Sequence, residues 1–320
     1  LTVLEALFMS LHRSSMNRKC LAALGAALLA AFCLPAQAAL RVLACEPEWG
    51  ALAQELGGPL VEVSVATSAL QDPHQIQAKP SLIARARNAD LLVCTGAELE
   101  IGWLPVLLAH SGNARVQAGQ SGNFAAADYV RKLDVPTRLD RAQGDVHAAG
   151  NPHIQTDPRN IALVAVALAA RLAQIDPPHA ADYAQRQADF SRRWQQAMTR
   201  WEAQAAPLKG LAVVSQHKAF VYLYDWLGMQ EVAVLEPKPG VEPTAAHLQA
   251  VQTALKSMPA RMVLYAAYQD ARPSEWLSRN VGLAAVKVPF TVGGTEAAKD
   301  LFGLFDDTLA RLLAAAGGQP

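Results

Sequence analysis

Residues 157–206 read DPRNIALVAVALAARLAQIDPPHAADYAQRQADFSRRWQQAMTRWEAQAA, a stretch without a glycine and rich in Ala, Gln, Arg and Leu. Asp157 followed by Pro158 supplies a capping side chain and then a residue suited to the first helical turn, so a helix is expected into 161–175, stopping before Asp176-Pro177-Pro178. A second helix is expected over about 180–205, with apolar or aromatic residues at Tyr183, Phe190, Trp194, Met198 and Trp201. At a rise of ~1.5 Å per residue it would be roughly 40 Å long, enough to bridge two lobes. Those positions do not sustain a strict heptad, which argues against a coiled coil.

Outward from this stretch, short apolar runs alternate with longer amphipathic ones. On the N-terminal side they are 40–45, a helix near 49–56, 61–65, a helix near 80–88, and 91–94; on the C-terminal side they are 211–215, a helix over 219–227, 231–235, 262–265 and 285–288. Such alternation predicts an α/β fold of two lobes with mostly parallel sheets, joined by the long interdomain backbone helix. The expected organisation is an N-terminal lobe at 39–160, linker helices at 161–209 and a C-terminal lobe at 210–320.

The first 38 residues read as a secretory signal peptide: Asn17-Arg18-Lys19 precede the apolar run 20–34, and Ala36-Gln37-Ala38 offers a small-residue cleavage site. Residues 1–15 lie upstream of Met16 and read as a misplaced start region. The apolar run is shorter than the ~20 residues that span a bilayer. Cys33 lacks the small residue that would precede a lipidated cysteine. A periplasmic location follows, in which Cys45 and Cys94 either form a disulfide or pack as two small buried hydrophobes.

Of 320 residues, 52% are hydrophobic, 18% charged and 6% aromatic, a globular composition long enough for two domains. The 28 basic and 28 acidic residues leave no formal net charge, and Arg192, Arg193 and Arg200 are scattered along one polar helix. Without a basic stripe, nucleic acid is not a partner.

The chemistry resides in histidines. His74 in Asp72-Pro73-His74-Gln75-Ile76-Gln77 and His153 in Asn151-Pro152-His153-Ile154-Gln155 have near-identical settings, and His217 follows the strand-like run 211–215. Proline before an imidazole stiffens its loop, and the end of a parallel strand is where open α/β sheets place ligands. The separations of 79 and 64 residues are no local motif, so the signal is three histidines on three strand-to-helix loops meeting in one cleft. Imidazole nitrogens suit four-coordinate Zn²⁺, whereas Mn²⁺ calls for more carboxylate oxygen. A zinc hydrolase would share this layout, but no H-E-x-x-H or G-x-S-x-G supplies a general base or nucleophile.

Four blocks in order resemble the zinc and manganese substrate-binding proteins of ABC transporters. They are Asp72-Pro73-His74 with Lys79-Pro80-Ser81; Ala89-Asp90-Leu91-Leu92-Val93-Cys94-Thr95-Gly96-Ala97-Glu98-Leu99-Glu100; Asn151-Pro152-His153 with Asp157-Pro158-Arg159-Asn160; and Ser215-Gln216-His217-Lys218-Ala219-Phe220. The resemblance covers essentially all of the chain after the signal peptide. It implies metal ligation by His74, His153 and His217, zinc over manganese or iron as the transported ion, and no catalysis or catalytic cofactor. It implies an ABC permease as partner, leaves room for a periplasmic metallochaperone, and fits a monomer. Where the family often places an acidic fourth ligand, this chain reads Val288-Pro289-Phe290-Thr291-Val292-Gly293-Gly294. Asp270 is the candidate for that position, with water, Glu98 and Glu100 as alternatives. The stretch Asp140-Arg141-Ala142-Gln143-Gly144-Asp145-Val146-His147 stands where zinc members carry a long His/Asp-rich loop, and is too sparse for an independent site; its His147 is a candidate to assist zinc transfer, the alternative being a plain surface loop. His110, His179 and His247 read as surface residues.

Overall fold

The computed structural model describes residues 38–137 and 147–317. The expected signal peptide before Ala38 and the loop 140–146 lie outside the described residues. The first sheet holds β1 (Leu40–Ala44), β2 (Val61–Val65), β3 (Leu91–Cys94) and β4 (Asn123–Ala125) in the order β2-β1-β3-β4. The second holds β5 (Ala212–Ser215), β6 (Gln230–Val234), β7 (Met262–Ala266) and β8 (Ala284–Val288) in the order β6-β5-β7-β8. Every pairing is parallel, with one register shift between Val213 and Val214. Parallel strands are covered on both faces and therefore read as continuous apolar runs; Leu91, Leu92, Val93 and Cys94 are all buried. β4 was not foreseen, since three residues carry no period.

The sheets are covered by α1 (Pro47–Gly57), α2 (Pro80–Asn88) and α3 (Leu104–Ser111) in the first lobe. In the second lobe the covering helices are α6 (Val221–Leu227), α7 (Ala245–Ala254), α8 (Arg272–Val281) and α9 (Leu301–Gly317). Between the lobes run α4 (Pro158–Ile175) and α5 (Ala180–Ala205). The Asp157 side chain caps α4 by accepting from the Arg159 N–H at 2.8 Å, and Pro158 stands in the first turn. Ile161, Val164, Ala165, Leu168, Ala169 and Leu172 form its buried stripe, at the spacing of one helix face. α4 is long and apolar enough to cross a membrane, yet this stripe lies in the protein core. α5 packs on α4, on α1 and on α9, so the expected bridge is observed. Trp194 donates its indole N–H to the Pro158 carbonyl at 2.9 Å, and Trp201 donates to Asp306 at 2.6 Å.

One hydrophobic cluster runs through both sheets and both linker helices, with a smaller cluster on the outer side of each sheet. Cys45 and Cys94 form a disulfide between the ends of β1 and β3, with Cα atoms 4.7 Å apart.

Candidate metal centre

Three loops deliver the three imidazoles. His74 lies on the segment after β2, where the Asp72 carboxylate accepts from both the His74 backbone N–H (3.0 Å) and ring Nδ1 (2.8 Å). This local turn fixes the ring before any ligand arrives. His153 lies just ahead of α4 in the same kind of turn, its N–H donating to Asn151 Oδ1 at 3.0 Å. Asn151 Nδ2 donates to the Lys218 carbonyl at 2.7 Å, and Tyr222 Oη donates to the Asn151 carbonyl at 2.7 Å, so the His153 loop is bolted to the second lobe. His217 stands at the C-terminal end of β5, with Nδ1 2.7 Å from Glu236 Oε2.

The three ring centroids are 5.3–5.7 Å apart, and a ligating atom from each lies within 4.8 Å of the others. His153 Nε2 and His217 Nε2 face each other at 3.3 Å. His74 Nε2 is buried with no hydrogen-bond partner among the described residues. Asp72 and Glu236 favour the Nδ1–H tautomer of His74 and His217, which leaves each Nε2 lone pair for the shared centre. Burial, and then the neighbouring His74 and His217, hold the His153 pKa well below the ordinary histidine value and keep the ring neutral. Burial works to raise Asp72, but its hydrogen bond and charge interaction with His74 hold it below the ordinary aspartate value.

Phe290 packs edge-on against His153 at 5.4 Å and adopts φ 70°, a left-handed conformation that costs a bulky residue energy and gathers at functional sites. A cavity of about 460 Å³ lined by His147, His153, His217, Lys218 and Lys238 opens on one side of the cluster. A second, of about 190 Å³, is lined by Asp72, His74, His217, Glu236 and Asp270.

The expected fourth ligand does not join the cluster. Asp270 lines the smaller cavity, but its carboxylate accepts from the Arg272 backbone N–H at 3.0 Å and pairs with the Arg272 guanidinium. That hydrogen bonding holds Asp270 below the ordinary aspartate pKa. Its bonds to Arg272, in the turn that leads into α8, engage the group that the sequence offered to the metal. Glu98 is exposed and accepts from the Ala148 N–H at 2.5 Å, while Glu100 is buried and accepts from the Thr95 N–H at 2.7 Å. One neighbour of the site leaves no trace in the sequence pattern. Glu236 carries no motif and is found only through the fold, which ends β6 beside β5. His147, which ends the sparse 140–147 stretch, stacks on His74 with ring centroids 5.4 Å apart.

Three imidazole nitrogens with two carboxylates behind them make a site for a borderline-soft divalent ion such as Zn²⁺. A family model described as "Zinc-uptake complex component A periplasmic" (ZnuA) matches residues 42–315. The high-affinity zinc uptake system protein ZnuA of Paracoccus denitrificans (strain Pd 1222) is 25% identical over 261 residues, covering 71% of this chain and 76% of that protein. The protein of the same description from Bacillus subtilis (strain 168) is 21% identical over 218 residues, 66% of each chain. The crystal structure of a ZnuA 138–173 deletion mutant with zinc bound superposes with a TM-score of 0.72 at 22% identity, covering 88% of this chain and all of that one. The chain therefore belongs to the family of ZnuA, component A of the zinc-uptake complex.

Proposed function

We propose that this protein captures Zn²⁺ in the periplasm on His74, His153 and His217 and hands it, as the substrate-binding component of an ABC importer, to a membrane permease. The observation that carries this reading is the convergence of three imidazoles from three loops, with Asp72 and Glu236 orienting two of them. Each histidine donates Nε2, and the fourth position is left to water, since the Asp270 carboxylate is engaged by Arg272. The protein acts as a monomer, receives metal directly or from a periplasmic metallochaperone, and performs no catalysis. The family match and the curated relatives support the transport role.

Binding requires neutral imidazoles, so protons compete with the ion. His153 is kept neutral by burial, which lowers the cost of ligation in mildly acidic medium. The cavity on the His147 side is the route by which the ion enters and leaves.

The test is a titration of metal-stripped protein with Zn²⁺ and Mn²⁺, following melting temperature, with His153→Ala as control. At ~1,000 times the dissociation constant, Zn²⁺ should stabilise by about 4 kcal/mol and raise the melting temperature by roughly 10 °C. The shift should vanish in the variant. No shift with either metal would overturn the reading.

A further inference from the structure

The larger cavity beside the histidines exceeds what an ion and one water require. The potential metal ligands gathered there among the described residues are three imidazoles, and Asp270 is held by Arg272. Zn²⁺ on three histidines keeps a position open for an outside donor. His153 and His217, whose Nε2 atoms face each other at 3.3 Å, both line this cavity of about 460 Å³. A water takes roughly 30 Å³, whereas pockets for small organic ligands run from roughly 300 Å³ upward.

The two cavities at the cluster also differ in charge. The smaller is lined by four carboxylates, those of Asp72, Glu236, Glu242 and Asp270, which suits the surroundings of a cation. The larger is lined by the ammoniums of Lys218 and Lys238, with one carboxylate, Asp134, which pairs with Lys218 at 2.9 Å. Asp72 and Glu236, on His74 and His217, match the two charges of the ion, so the centre carries no surplus of negative charge for the lysines to balance. Ammoniums beside a bare dication repel it, and an anion between them turns that repulsion into attraction. Pro152, Pro237 and Pro239 give the same cavity an apolar wall.

We propose that this cavity takes a small carboxylate anion, of the class of free amino acids and hydroxy acids, which becomes the fourth ligand of the ion. Lys218 and Lys238 supply the balancing charge, and the prolines pack on its carbon body. The proposal rests on the reading of the three histidines as a metal site and deepens it: the anion displaces the water from the fourth position, and the cargo is the ion together with its carboxylate. Coupling between two ligands is reciprocal, so the anion should bind the metal-loaded protein better than the metal-free protein and raise metal affinity by the same factor.

The test uses Co²⁺ as the probe in place of Zn²⁺, because its visible absorption depends on the kind and number of its ligands. Protein loaded with one equivalent of Co²⁺ at pH 7 is titrated with sodium acetate, sodium lactate and glycine, against sodium chloride at equal ionic strength. At least one carboxylate should change the spectrum saturably at millimolar concentration and raise Co²⁺ affinity relative to chloride; the ranking of lactate against glycine separates a hydroxy acid from an amino acid. Both lysine side chains reach solvent, so Lys218→Gln combined with Lys238→Gln should keep the starting Co²⁺ spectrum while raising the half-saturating carboxylate concentration at least tenfold. A crystal structure of the Zn²⁺-loaded protein grown with the favoured carboxylate reads the cavity without any variant, and should show a carboxylate oxygen on the ion. No spectral response to any carboxylate, an equal response to chloride, or an unaltered response in the double variant would overturn this proposal alone. Failure of Co²⁺ to give a spectrum that His153→Ala abolishes would overturn the metal site along with it.

Discussion

Behind His74 stands Asp72, behind His217 stands Glu236, and against His153 packs the ring of Phe290. His153 Nδ1 is buried with no hydrogen-bond partner among the described residues, so its orientation rests on packing and on the Asn151 turn. Removing an orienting carboxylate typically costs 10–100-fold in metal affinity, and Asp72→Asn and Glu236→Gln should each lower zinc affinity by about that factor in competition with a chromophoric chelator. A loss below threefold would mean that loop packing alone orients the rings. Buried carboxyls set a second expectation for the metal-free protein. Burial pushes Glu48 and Glu100 up to about 7 from 4.5, so the folded state holds protons that the unfolded chain has lost. Their contribution is fully present below pH 4.5 and is lost as pH rises to about 7. His153 works in the opposite sense: its pKa is lowered from 6.5, so its contribution is present above that pH and is lost on acidification. Urea unfolding between pH 4 and 8 should show Glu48→Gln removing part of the loss on the alkaline side, on the order of 3 kcal/mol. An unchanged slope would refute the assignment.

At the scale of elements, α4 and α5 follow from residues that can be pointed to one by one. Asp157 and Pro158 start α4, Asp176-Pro177-Pro178 end it, and the aromatic positions of α5 all turn inward. The strands were legible because parallel strands have no polar face to confuse the pattern, and most observed boundaries fall within two residues of the apolar runs. Trp194 is 1% exposed and sits among Phe190, Trp201, Phe302 and Phe305. Trp194→Ala should therefore cost about 3–5 kcal/mol in denaturant unfolding. Losing the Asp157 cap costs less, typically about 1 kcal/mol. The Cys45–Cys94 bond closes 49 residues of chain across the first sheet. Loop-closure entropy assigns such a bond about 4 kcal/mol, so Cys45→Ala with Cys94→Ala should lower stability by up to that amount under oxidising conditions, with little change once wild type is reduced.

On the scale of the whole molecule, the hydrophobic core is continuous from the first sheet through α4 and α5 into the second. A close-packed core does not shear freely. Metal-free and zinc-bound crystal structures should thus differ by small tilts and loop shifts, and a lobe rotation of tens of degrees would contradict this. Apolar period, helix caps and Pro-His turns are local signals that neighbouring residues carry, and they make the two α/β lobes, the paired linker helices and the three histidine loops legible along the chain. That Asp270 turns to Arg272, that Glu236 stands behind His217, that His147 stacks on His74 and that Cys45 meets Cys94 is visible in three dimensions alone. Each of these pairs a side chain with a partner whose position depends on how strands are ordered and loops return, and spacing along the chain carries no record of such distances.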